Sequence, residues 1–110
     1  MAQVIFIHDG DTIDHIPTAD VAAGDVVVQG ELVGVAKLDI KAGKLGALAV
    51  VGVFDFPVTS LTGWSVGALA YWDAAGQVAT ETETENTLLG KVVLVDSRPG
   101  SPHVRVRLSQ

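Results

Sequence analysis

His103-Val104-Arg105-Val106-Arg107-Leu108 alternates polar and apolar side chains through six residues. In an extended chain successive side chains point to opposite sides, so Val104, Val106 and Leu108 share one face and His103, Arg105 and Arg107 the other. The pattern predicts a half-buried strand with a charged outer face. Working outward, further strand candidates are Gln3–His8, Asp25–Gln29, Glu31–Leu38, Leu45–Phe54, Ala68–Trp72 and Thr87–Val95. Twelve glycines punctuate these runs at spacings typical of turns and bulges. Asp25-Val26-Val27-Val28 and Lys91-Val92-Val93-Leu94-Val95 are rich in β-branched residues, which suit strands better than helices. Only Leu61–Ala75 has the material for a short helix, against Gly63 and Gly67. The expectation is an all-β domain, a small barrel or sandwich with short Gly-rich turns and at most one short helix.

The bulk numbers agree with one such domain. A chain of 110 residues with 48% apolar content can bury a core, and its length suits a single β-domain over residues 1–110. No apolar run approaches the roughly 18–20 residues of a membrane span. The start, Met1-Ala2-Gln3-Val4-Ile5-Phe6-Ile7, lacks a basic leader region and does not read as a signal peptide. With no cysteine, disulfides, thiolate metal sites and thiol catalysis are excluded. Net charge is −6, with six acids and no Lys or Arg in residues 1–36, while Lys91, Arg98, Arg105 and Arg107 lie in the last twenty. Nucleic-acid binding needs a basic footprint that releases counterions, and this balance argues against it.

Two smaller patterns accompany the strands. Leu32-Val33-Gly34-Val35-Ala36 and Leu88-Leu89-Gly90-Lys91-Val92 each lead through a Gly turn into an alternating strand, Ala47–Val50 and Val104–Arg107. This reads either as two similar hairpin units in one barrel or as a coincidence common in small β-proteins. Thr80-Glu81-Thr82-Glu83-Thr84-Glu85 would set three glutamates on one strand face, where like charges repel. A solvated loop or an exposed, aggregation-blunting edge is the better reading, with a cation site the minority one.

Several motifs imitate chemistry. Ile7-His8-Asp9-Gly10-Asp11-Thr12-Ile13-Asp14-His15 packs three aspartates and two histidines into nine residues. Asp9-Gly10-Asp11-Thr12-Ile13 resembles the Asp-x-Asp signature of haloacid-dehalogenase-type phosphotransferases. It carries Ile at the final position, and the chain lacks the doubly wound α/β pattern that chemistry needs. A calcium loop counted from Asp9 puts Ile13 at position five and Asp14 where glycine must turn. A histidine–carboxylate metal site from His8, Asp9, Asp11, Asp14 and His15 stays open as a minority reading. Solvated turn chemistry is the commoner origin of such a cluster, and the stretch reads as a polar connection leaving the first strand. Gly63-Trp64-Ser65-Val66-Gly67 spells a nucleophile elbow, with Asp96 and His103 following in hydrolase order. Thr59-Ser60-Leu61-Thr62 before it is not the buried strand an elbow requires. Gly90-Lys91 is followed by Val92, not Ser or Thr, and five residues earlier stands Glu85, so no P-loop exists. Catalytic, cofactor and metal sites are therefore all expected to be absent, and the protein is read as a non-enzyme.

A series of blocks carries a family resemblance across nearly the whole chain. They are Ile13–Pro17, Val21–Val27, Leu32–Ala36, Ala42-Gly43, Gly52–Pro57, Tyr71–Asp73, Leu88–Val92 and Val104–Leu108. In that order they resemble a small phage and prophage family, long a domain of unknown function and often labelled a RecA/RadA-type phage recombinase. The chain departs from the family pattern at Val58, where a lysine follows the proline, so no role for a lysine transfers there. The recombinase label conflicts with the missing P-loop, the β pattern and the acidic balance. The resemblance instead implies a capsid decoration, or cement, protein on the virion surface, present in the host cytoplasm during assembly. It implies as partners the major capsid protein and copies of itself, with trimers expected, and neither nucleic acid nor membrane.

Within that frame residues 1–8 read either as an N-terminal arm or as an edge strand of the domain's own sheet. Val4, Ile5, Phe6 and Ile7 are the candidate contacts to capsid or neighbouring subunit, able as an arm to pair with a strand edge of a partner. The alternative from another class is a ligand- or carbohydrate-binding β-module using exposed Trp64 and Trp72 beside the acidic loop. A hydrolase built on Ser65 is the third reading.

Overall fold

The computed structural model describes residues 3–7, 9–96 and 100–110. Among them are nine strands and no helix: β1 (Thr12–His15), β2 (Val26–Gln29), β3 (Leu32–Ala36), β4 (Gly46–Ala49), β5 (Gly52–Pro57), β6 (Leu69–Asp73), β7 (Val78–Thr80), β8 (Thr87–Val95) and β9 (His103–Leu108). They form two antiparallel sheets, four-stranded in the order β1-β4-β3-β2 and five-stranded in the order β5-β9-β8-β6-β7. The sheets stack as a sandwich, and no barrel closes.

The alternation of β9 is what organises the main core. Val104, Val106 and Leu108 are buried, as are Phe56 of β5, Val92 of β8, Ala70 and Trp72 of β6 and Ala79 of β7. Val33 and Val35 of β3 meet them from the other sheet, and Val26 packs against the same cluster. The opposite face of β3 serves a second, smaller core. Ala36 and Leu48 lie there under Ile40, with Ile13, Val21 and Val27 around them. The backbone bridge Val21–Ile40, bonded in both directions at 2.8 Å, holds the covering loops in place. The four-stranded sheet thus has apolar residues on both faces, which explains why β3 reads as continuously apolar.

Several expectations change. The run Leu45–Phe54 is two strands in different sheets, with the chain crossing at Val50-Val51. Gly52, at φ 133°, takes a backbone conformation that side-chain-bearing residues avoid. Leu61–Ala75 is a set of turns followed by β6, not a helix, consistent with Gly63 and Gly67. The stretch from His8 to His15, read as a polar connection, ends in β1, whose Thr12–His15 pair with Gly46–Ala49. Residues 3–7 form no strand, and His8, the end of that candidate, lies outside the described residues. The two echoing units do pair as neighbours, β3 with β4 and β8 with β9, but they sit in separate sheets rather than in one barrel.

One contact ties the two sheets together at the polar level. β4 pairs with β3 only at Val35 and Ala36, which leaves Val33 without a partner strand on that side. The Gln110 side chain takes the place of one: its carbonyl oxygen accepts from Val33 N–H and its amide donates to Val33 C=O, both at 2.6 Å. Val33 is fully buried, so neither backbone group has water as an alternative. Gln110→Ala is expected to cost about 2 kcal/mol, because a buried donor and acceptor lose their partners together. A denaturant titration giving less than about 0.5 kcal/mol would show that the clamp is dispensable.

Candidate functional site

The most conspicuous surface feature is the segment before β1. Val4, Ile5, Phe6 and Ile7 are 86%, 78%, 79% and 77% exposed, four consecutive apolar side chains that the domain leaves in solvent. Single exposed apolar residues are ordinary, whereas a contiguous run of four is uncommon on the surface of a folded domain. The residues are β-branched or aromatic and belong to neither sheet, so their backbone is available for strand addition to a partner edge.

The chemistry-like motifs do not assemble. Asp11 is exposed in the turn before β1 and Asp14 is exposed on β1, while His15 Nδ1 bonds Gln29 Nε2 across to β2 at 2.8 Å. Among the described residues no group of three or more His, Asp or Glu is placed to hold a metal ion, and His8 lies outside them. Ser65 lies exposed in a turn whose carbonyl accepts from Ala68 N–H. His103 Nδ1 meets Ser101 Oγ at 3.1 Å, and no bond joins it to Ser65. The exposed tryptophan pair expected of a sugar-binding module is also not found. Trp72 is 4% exposed, edge-on to Phe56 with ring centroids 5.9 Å apart, and Trp64 packs half-buried against the same core. A crevice of about 330 Å³ does open between the sheets beside Trp72, lined by Val26, Val35, Phe54 and Phe56 with Asp55 and Gln77 as its polar residues.

The charged groups act structurally where they pair. Arg105 of β9 sits directly opposite Asp55 of β5, with Nε 2.9 Å from Oδ1. The hydrogen bond to Asp55, and then its charge, raise the Arg105 pKa further above its ordinary value. Asp20 accepts from Ala42 N–H at 2.9 Å and lies 3.6 Å from Lys41. That backbone bond first, and the lysine second, hold its carboxyl below the usual carboxylate value. Both contacts brace loops or strands, and Asp55 also lines the crevice beside Trp72.

Among the described residues the chemistry-like motifs do not converge, and the side chains of Val4–Ile7 are among the most exposed large apolar ones. A family model described as phage cement protein matches residues 7–108. The chain belongs to that family. Membership supports a structural role associated with the phage capsid. The match begins at Ile7, so Val4, Ile5 and Phe6 precede the family's common region. Val58, the departure from the Pro-Lys pattern, is buried in the main core, where a lysine's charge would be expensive. Comparison with curated proteins and with solved structures finds no significant match.

Proposed function

We propose that this cement-family chain decorates the outer surface of the mature phage head and stabilises it without catalysis. The observation that carries the reading is the exposed run Val4–Ile7 on a folded domain of that family. A ligand that binds the mature shell, and not its precursor, stabilises the mature shell by linkage alone. Major capsid protein offers the partner edge, and the arm adds a strand to it. Several copies joined to one another, as in a trimer, share the load through avidity, so each arm can bind weakly. Assembly in the host cytoplasm then ends with the protein on the virion surface.

Strand addition would turn every second residue of the arm toward the partner, so two of its four apolar side chains are buried. Each is worth roughly 1.5–3 kcal/mol when fully buried, before the cost of ordering the segment. Deleting residues 1–7 is therefore expected to lower affinity for capsids about 100-fold, with the melting temperature of the domain nearly unchanged. Binding that survives the deletion, or a domain that unfolds, would remove the arm from the proposal. Quantitative mass spectrometry of purified virions tests the role itself. A copy number comparable with the major capsid protein is expected, and absence from intact particles would overturn the decoration reading.

A further inference from the structure

The outer face of the five-stranded sheet carries a charge arrangement that folding does not explain. Register places Arg107 of β9 directly between Val53 of β5 and Lys91 of β8, and Lys91 beside Leu69 of β6. Two cations therefore stand opposite one another on neighbouring strands, where like charges repel. Arg105 is neutralised by Asp55, but among the described residues neither Lys91 nor Arg107 has an ion-pair partner. In a chain of net charge −6, acids to pair them with are plentiful elsewhere. Around the two cations lie half-exposed Val53, Leu69, Val93 and Leu94. Val93 is the extra residue of a bulge between Val92 and Leu94, which leaves both Val93 and Leu94 in solvent. Two cations with an apolar rim make a patch that an acidic protein surface would complete.

The chain itself presents such a surface. Glu81, Glu83 and Glu85 are exposed in the loop between β7 and β8. The loop is internally bonded: Thr82 N–H donates to Thr80 Oγ1 at 3.2 Å, and Asn86 donates to Glu83 C=O at 3.1 Å through its backbone and to Thr82 C=O at 2.9 Å through its side chain. Its glutamates have no ion-pair partner among the described residues. Charge complementarity thus links two surfaces of the same molecule.

We infer that the Lys91–Arg107 sheet face is a self-association surface that receives the Glu81–Glu85 loop of a second copy. This rests on the proposed self-association of the decoration protein and names the surfaces that carry it. The test is sedimentation equilibrium of the full chain at low and high salt, with two charge-reversed variants. Wild type is expected to associate at low salt and to weaken as salt rises, since the contacts are exposed ion pairs. Lys91→Glu with Arg107→Glu makes face and loop both acidic, and Glu81→Lys with Glu83→Lys and Glu85→Lys makes both basic. Each variant alone is expected to associate at least about 30-fold more weakly, and an equimolar mixture should recover pairwise association because every contact again joins opposite charges. Lys91→Gln with Arg107→Gln, which keeps long polar side chains, guards against a folding defect and should show a partial loss.

A wild-type protein that stays monomeric at low salt overturns the inference, as does association that the variants leave unchanged. Loss in the variants without recovery in the mixture assigns the face to some other surface and overturns it as well. The virion copy number separates this from the parent reading. Abundant virion protein that is monomeric in solution sinks the self-association surface alone. Salt-sensitive association of a protein absent from virions sinks the decoration role alone.

Discussion

Replacing Gly90 with alanine is expected to destabilise the domain by about 4 kcal/mol or more, enough to leave much of a small domain unfolded. Gly90 lies mid-strand in β8 at φ 156°, opposite Leu108 of β9. A Cβ there would be driven into the carbonyl oxygen of Arg107, well inside contact distance, and would stand 2.9 Å from Ser109 N. Both obstacles are backbone of the neighbouring strand, so no side-chain rotation relieves them. Relief requires β9 to move, and β9 supplies Val104, Val106 and Leu108 to the main core. Its displacement would also break the bond from Ser109 N–H to Leu89 C=O, 2.9 Å long, and disturb the Gln110 clamp one residue further on. The control is Gly10→Ala, where an added Cβ meets nothing within 4 Å and a change within about 0.5 kcal/mol is expected. Urea unfolding of the two variants side by side decides it, and equal stability would mean that the β8–β9 approach is looser than described.

The second large effect is expected from Trp72→Ala, a loss of about 3–5 kcal/mol. Trp72 bridges the layers: it is anchored on β6, meets Phe56 of β5 edge-on and lies in one cluster with Val33 and Val35 of the opposite sheet. Removing the indole leaves a void that the facing sheets cannot close without sliding, so both the transfer and the cavity costs apply. The crevice already beside Trp72 would enlarge, and the variant is expected to bind small apolar dyes that the wild type excludes. Trp72→Phe keeps the aromatic contact and should lose only about 1–2 kcal/mol. If Trp72→Ala unfolds at wild-type denaturant concentrations, the ring is no part of the core and the aromatic ligand-binding reading regains its platform.

What could be read from the sequence follows from how each segment meets solvent. β9 shows its facing in the alternation of apolar residues, and the positions of β9, β2 and β6 were legible to within a residue or so. β1 was not, because Asp14 and His15 at a sheet edge look like loop chemistry, and only pairing with Gly46–Ala49 makes them a strand. β7, three residues long, carries too little pattern to announce itself. The crossing at Val50–Gly52 hid inside an apolar run because β4 ends and β5 begins among residues suited to either sheet. Trp64 and Trp72 could not be told apart as platform or core until the opposite sheet was in place. For the surface, the apolar character of Val4–Ile7 was plain, whereas their separation from both sheets was not. The paired cations Lys91 and Arg107 are sixteen residues apart in the chain and become neighbours only through strand register. Nothing in the composition pointed to the Gln110 clamp.

The pairing of β5 with β9 also sets an order of events during synthesis. Gly52–Pro57 finds its partner only in His103–Leu108, and on its other side it has none. The strands of the four-stranded sheet, by contrast, have all left the ribosome once residue 49 emerges. For the interval in which some fifty further residues are translated, Val53, Phe54 and Phe56 wait without a neighbour, and closure of so long a loop is intrinsically slow. A nascent chain at this stage is a half-finished sandwich with an open, sticky edge. Its yield in the cell should therefore depend on temperature and translation rate more steeply than the stability of the finished domain alone would suggest.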